Sequence, residues 1–252
     1  VTGAERVRHA LTSGVPDDRR LPVCVWRAMP EAPTTGAGFV CVVLEVAESA
    51  GCDLVKVPRR PASVEPERRL ADLARIVRLA SDALNGAAVV VTAGPADEPE
   101  WVREAVEGAG CAGVYLPLEG DGWDAERTAE LLDAATVGWC SVVHLHGAAP
   151  TWERLTPLLA RAQAVSWAGR AEGETLAGLR ERVGLGKCVM GGVDERRIAG
   201  RKPEAVRAEA AEAVRTLGAA GLILAPDCTP PPGTPAANVR AVYEGAMDGA
   251  RV

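Results

Sequence analysis

The sequence predicts a compact α/β chain folded as one (β/α)8 TIM barrel, and three observations predict it. Short apolar strands alternate with amphipathic helices eight times, a pattern that calls for a parallel sheet with helical crossovers. Most connections are short, and 252 residues suit eight such units. The competing open dinucleotide-binding sheet lacks its marks. No Gly-x-Gly-x-x-Gly follows the first strand, and no Gly-x-x-x-x-Gly-Lys-Ser/Thr phosphate loop is present. No linker, low-complexity tract or internal repeat interrupts the β/α pitch, so residues 1–252 read as one domain.

In chain order, residues 4–13 predict a short amphipathic helix, followed by the proline-bounded strand Leu21–Trp26. Residues 28–38 form a Pro/Gly/Thr-rich loop before a buried helix over Phe39–Ala50, stopped by Gly51. Asp53–Val57 is the second strand. The helix over 66–84 carries Leu70, Leu73, Ile76, Val77, Ala80 and Leu84 on one face. Strands follow at Ala87–Thr92 and Gly113–Leu116, with helices at 98–109 and 124–135. A strand ending in His144-Leu145-His146-Gly147 is the fifth. Helices at 151–160, 174–183 and 203–217 then alternate with strands at 163–167, Lys187–Gly191 and Leu222–Ala225, and 236–248 is a terminal helix.

Composition narrows the function classes. Hydrophobic residues at 48% and charged residues at 25% are ordinary for a soluble globular enzyme. A net charge of −6 argues against a nucleic-acid partner. No apolar run is long enough to span a membrane and no signal peptide is visible at the start, so a cytoplasmic location is expected. Seven scattered cysteines without a Cys-x-x-Cys pair suit buried thiols in a reducing compartment. Few lysines beside abundant Ala, Arg and Gly suggest a high-GC bacterial source.

The chemistry concentrates in Trp139–Gly147. Residues two apart on a strand face the same side, so His144 and His146 point together and Leu145 points away. Two of the three histidines of the chain therefore meet at the C-terminal end of a strand, where α/β barrels keep their active sites. The alternative is a hydrogen-bonded pair that fills a barrel mouth. Arg27, Lys56, Arg59 and Arg60 lie at the ends of the first two strands and suit a carboxylate or phosphate, unless they are only solvated. Glu119 and Asp121 follow the fourth strand as ligand or general base, or as a solvated turn. Trp167 ends the sixth strand as a pocket wall or as core. Asp194, after the seventh, is placed to orient a ligand or a loop.

Two stretches carry a family resemblance. Leu222-Ile223-Leu224-Ala225-Pro226-Asp227-Cys228-Thr229-Pro230, followed by Gly233-Thr234-Pro235-Ala236-Ala237-Asn238, resembles the C-terminal signature of the uroporphyrinogen decarboxylase superfamily. Leu21-Pro22-Val23-Cys24-Val25-Trp26-Arg27, with Asp53–Val57 after it, looks like that family's N-terminal part. Val142–Gly147 and Gly191-Gly192-Val193-Asp194 fall where it places its fifth and seventh strand ends. The resemblance implies a (β/α)8 barrel, as the strand count does. Three departures argue against true uroporphyrinogen decarboxylation. Ala28-Met29-Pro30 replaces Gln-Ala-Gly-Arg-Tyr after Arg27, Arg59 or Arg60 stands where the essential aspartate would be, and Cys228 replaces the late histidine.

The zinc-dependent methyltransferase branch looks closer. Its His-x-Cys and late Cys match His144, His146 and Cys228, with histidine in place of the middle cysteine. The resemblance thus implies Zn2+ on these three residues and a fourth, exchangeable position. The alternative is a metal-free polar pocket. It also implies methyl transfer to a thiol or similar nucleophile on a small anionic substrate, with a corrinoid as methyl source. Arg27, Glu119 and Asp194 are the candidate catalytic residues, and Arg27, Lys56, Arg59 and Trp167 the candidate substrate contacts. Segments shortened around 58–66 and 93–98 argue against a large corrinoid-protein docking surface. A decarboxylase-like lyase and a non-catalytic barrel partner protein are the other readings. A homodimer through the outer helices is compatible with all three.

Overall fold

A computed structural model describes residues 1–16, 18–26, 36–59, 64–120, 122–147, 152–170 and 173–250. Its frame is one sheet of seven strands, β1 (Leu54–Val57), β2 (Ala88–Thr92), β3 (Gly113–Glu119), β4 (Val142–His146), β5 (Ala164–Ala168), β6 (Cys188–Val193) and β7 (Leu222–Pro226). All neighbours are parallel and stand in sequential order, so the sheet is curled rather than doubly wound. Nine α-helices are described: α1 (Gly3–Leu11), α2 (Gly36–Ser49), α3 (Pro66–Ala83), α4 (Pro99–Glu107), α5 (Ala125–Ala134), α6 (Trp152–Leu159), α7 (Leu176–Val183), α8 (Pro203–Leu217) and α9 (Ala236–Gly249). They follow the periodicity of the sequence to within three residues at each end. None is long and apolar enough to cross a membrane.

Local chemistry explains several helix ends. Thr2 and Glu5 make a reciprocal capping box on α1. Proline opens α3, α4 and α8, where its missing N–H costs nothing.

Two buried layers result. Val143, Leu145, Val165 and Trp167 belong to the layer between the sheet and its helices. Cys24, Leu54, Val90, Tyr115, Val142, Met190 and Ile223 fill the inside of the curl. Val7 and Ala10 of α1 join the inner layer and close its N-terminal end.

The expected strand Leu21–Trp26 is corrected. Among the described residues there is no eighth strand, only a single parallel bridge from Val23 to Leu224. The Cys24 amide donates to Leu224 O (2.9 Å) and the Leu224 amide to Pro22 O (3.0 Å). On the other side the Asp53 amide donates to Val23 O at 2.8 Å. The physical reason lies in who takes the remaining amides. Pro22 has none to give. The Val23 amide donates to the Asp53 carboxylate (3.2 Å) and the Val25 amide to Cys52 Sγ (3.2 Å), so side chains stand where ladder carbonyls would.

Asp53 is the pin of this seam. It is 1% exposed and receives Arg6 at 2.9 Å and Arg20 at 3.1 Å as well as the Val23 amide. It thereby ties α1, the bridging segment and the start of β1 together.

Candidate active site at the C-terminal mouth

The register of the sheet brings the candidate residues to one end. His144 stands opposite Ser166 of β5, and His146 opposite Glu119 of β3. As the two-residue period requires, both histidines are on one face, with ring centroids 6.1 Å apart. His144 is buried while His146 is exposed at the rim. His146 and Cys228 line a cavity of about 260 Å3, together with Arg170, Glu195, Arg196 and Thr229.

Below the cavity the interior is polar, which is unusual for a packed barrel centre. His144 Nδ1 shares a 2.9 Å hydrogen bond with Ser166 Oγ, and its Nε2 is buried without a partner among the described residues. Tyr115 stacks on His144 with centroids 5.3 Å apart, and its hydroxyl is likewise buried and unpartnered. Lys56 Nζ lies 4.3 Å from the ring centre of Trp26 and 4.2 Å from that of Tyr115. Trp26 in turn donates to Thr229 Oγ1 at 2.8 Å, joining the bridging segment to the loop that carries Cys228.

Burial sets the protonation states here. It pushes His144 well below the usual histidine range, and nearby Lys56 and His146 push the same way. It lowers Lys56 to about 8, opposed by Cys24 and Cys228. It raises the thiol of Cys228 and, strongly, the phenol of Tyr115. The inner wall is therefore weakly charged: neutral imidazole, neutral phenol, thiol and a partly deprotonated amine.

His144 has a measurable consequence for stability. Because its folded pKa is depressed, the unfolded chain takes the proton first as pH falls below the ordinary value of about 6.5. The stability this group contributes above that pH is then lost. Asp227, raised to about 6 by burial against the pull of Arg170, acts with the opposite sign between its ordinary value and 6. In chelator-treated protein the Tm should therefore drop more from pH 7 to pH 5 in the native sequence than in His144→Gln. Equal drops would show that His144 is not held neutral.

The other expected residues separate. Arg59 pairs with Asp97 at 3.0 Å, a carboxylate it shares with Arg69, so its guanidinium is engaged in bracing the loops after β1 and β2. Asp194 accepts from the Arg196 amide at 3.0 Å and shapes the turn after β6. Glu119 is exposed on the rim. Trp167 is corrected as a pocket wall. It points away from Ser166 into the helical layer, where it meets Trp152 at 6.1 Å and donates to Gly147 O. Arg27, Arg60 and Asp121 lie outside the described residues.

Sequence reasoning missed Tyr115, Ser166 and the pair Arg170–Asp227. Asp227 is 3% exposed, is bound by Arg170 and receives the Gly192 amide at 2.6 Å. This approach needs the glycines of β6. Gly191 and Gly192 take φ of 149° and 119°, and a Cβ on Gly191 would lie 2.6 Å from Asp227 Oδ1. The signal available for Asp227 was its place directly after β7.

The donors at the mouth suit zinc in kind: two imidazoles and a thiol. Among the described residues, however, no three His, Cys, Asp or Glu side chains are placed to hold one ion as they stand. Among the described residues, His144 Nε2 and Glu195 Oε2 are buried atoms without a hydrogen-bond partner, and Glu195 lines the cavity with His146 and Cys228.

The family model described as uroporphyrinogen decarboxylase (URO-D) matches residues 125–248, from α5 through most of α9. The resemblance to the uroporphyrinogen decarboxylase superfamily is shown over that stretch. No curated protein matches the chain. Among solved structures it is similar to a methyltransferase from Methanosarcina mazei, at 16% identity over 98% of both chains with a TM-score of 0.72. It is also similar to the homocysteine methyltransferase of Escherichia coli, at 16% identity over 90% of this chain and 97% of that one, TM-score 0.55. The 3-hexulose-6-phosphate synthase of Salmonella typhimurium covers 91% of this chain with 99% of its own, at 12% identity and TM-score 0.53. At such identities these likenesses show a TIM-barrel-like α/β fold alone.

Proposed function

We propose that the chain is a uroporphyrinogen decarboxylase-like enzyme, a one-domain barrel with Leu21–Trp26 as its eighth stave. In this reading it transfers a methyl group from a corrinoid to a thiol or similar nucleophile on a small anionic substrate. One observation carries it: His146 and Cys228, far apart in sequence, line one cavity with His144 beneath them. His144, His146 and Cys228 would hold Zn2+. His146 is exposed and Cys228 half-buried, so both can turn toward the fixed imidazole without repacking the core. Zinc, when bound, lowers the pKa of a coordinated thiol so that the attacking sulfur is a thiolate at neutral pH.

The residues of the chain supply the rest. Ser166 fixes the His144 ring through Nδ1 and so directs Nε2. Arg27 and Lys56 attract the anionic end of the substrate. Glu119 moves a proton at the rim beside His146, and Asp194 holds the loop after β6. The test is metal content and activity together. Purified protein should carry near-stoichiometric zinc that Cys228→Ala loses, and methylation of a small thiol by methylcobalamin should fall to background after chelation. Activity that survives both treatments would defeat this mechanism. It would promote a decarboxylase-like lyase in which Arg27 grips a carboxylate and a neighbouring acid protonates the product carbon. A protein inert in both assays would instead be a non-catalytic barrel partner.

A further inference from the structure

The sequence contains three lysines, and they stand in three different environments. Lys202 is exposed at the start of α8. Lys187 donates to the carbonyl oxygens of Leu159 and Ala162. Lys56 alone sits inside the curl of the sheet. Its Nζ lies between the faces of Trp26 and Tyr115, and no carboxylate pairs with it among the described residues. Its side chain keeps partial exposure, and Cys228 of the cavity lining is near enough to act on its charge.

An amine so placed is built for more than electrostatic attraction. An ammonium kept for charge alone is normally paired, because burying it unpaired is costly. Aromatic faces offset part of that cost. The remainder favours the free amine, the nucleophilic form of lysine. Beside it are two buried groups able to carry protons, the hydroxyl of Tyr115, with Ser166 nearby, and Nε2 of His144, which has no hydrogen-bond partner among the described residues.

We infer that Lys56 is a carbonyl-condensing amine, which forms a Schiff base with a small ketone or aldehyde entering from the mouth cavity. The nitrogen lone pair forms the C–N bond as the carbonyl π pair moves to oxygen, which is protonated from the Tyr115 side. The nitrogen returns one proton to Tyr115, the hydroxyl takes a proton from the same side and leaves as water, and the nitrogen gives up its second proton to restore that acid, leaving C=N. The sum is amine plus carbonyl giving imine plus water, with no oxidant or reductant. This goes beyond the methyl-transfer reading and uses no metal.

Borohydride trapping on the full-length folded protein tests it. The protein is incubated separately with pyruvate and with propanal, reduced with sodium borohydride and mapped by peptide mass spectrometry. Lys202 is the internal reference for an ordinary surface amine. With at least one probe, labelling of Lys56 should exceed that of Lys202 by about tenfold or more, as expected of a desolvated amine over a solvated one. Labelling at Lys56 no greater than at Lys202 with both probes would overturn the inference. Lys56→Arg keeps the cation and its ring contacts. It should abolish the excess while leaving Lys202 labelling and the near-ultraviolet dichroism unchanged. An excess that persists in Lys56→Arg would overturn the inference equally.

Discussion

Asp53→Ala should cost about 3 kcal/mol of folding stability, the low end of what removing one partner from a buried ion pair costs. The figure stays at that end because Arg6, 5% exposed, would keep Asp18 at 2.7 Å and the Val1 carbonyl. Its other partner would vanish, the Val23 amide would lose its acceptor, and Arg20 would keep only the Gly51 carbonyl as acceptor. Asp18→Ala is the matching control. Its side chain is 33% exposed, so its loss should cost no more than about 1 kcal/mol. Urea denaturation of both variants checks the contrast. Similar losses at the two positions would show that Asp53 is not the pin of the seam.

Gly245→Val should destabilise through crowding rather than loss. α8 and α9 cross so closely that a Cβ on Gly245 would stand 2.4 Å from the Arg207 carbonyl oxygen and 2.5 Å from Ala210 Cβ. Neither neighbour can swing aside, one being backbone and the other a single methyl. Overpacking of this kind costs about 1–3 kcal/mol, and the branched side chain belongs at the upper end. In a chain of this size that corresponds to a Tm lower by roughly 6–12 °C, readable by circular dichroism. An unchanged Tm would mean that the two helices stand farther apart. Exposed Gly200, with nothing within 4 Å of its added Cβ, is the position for comparison.

The β/α rhythm was legible because each helix carries its own stripe and each strand its own apolar run. The place where reading failed is instructive. Leu21–Trp26 has a strand's composition, but whether it makes a ladder depends on Asp53 and Cys52, which compete for its amides from another segment. Composition cannot report a competitor thirty residues away. The histidine face was legible because two imidazoles on one strand must agree with each other. Trp167 had no such partner. Strands buried on both faces do not alternate in polarity, so nothing local tells which side of β5 is inner, and the inner residue proved to be Ser166. Arg59 illustrates the same limit for charge, since its partner Asp97 belongs to a different loop. Tyr115 and Lys56 come together only because β1 and β3 lie on the same curl.

The side-chain capture of the Val23 and Val25 amides also sets how the wall can move. Elsewhere each stave is joined to the next by backbone bonds that break only if the strands themselves separate. At this one junction a single carbonyl, that of Val23, takes the backbone bond from the Asp53 amide, and the rest of the join runs through a carboxylate and a thiol, two groups with rotamers of their own. The curled wall is thus held here by side chains as well as by backbone. Local opening of low free energy concentrates where backbone pairing is sparse, as it is along this segment. Trp26, at the upper end of the same segment, holds the loop of Cys228 and one face of Lys56. One short segment thus joins the seam at the floor of the molecule to the residues of its mouth.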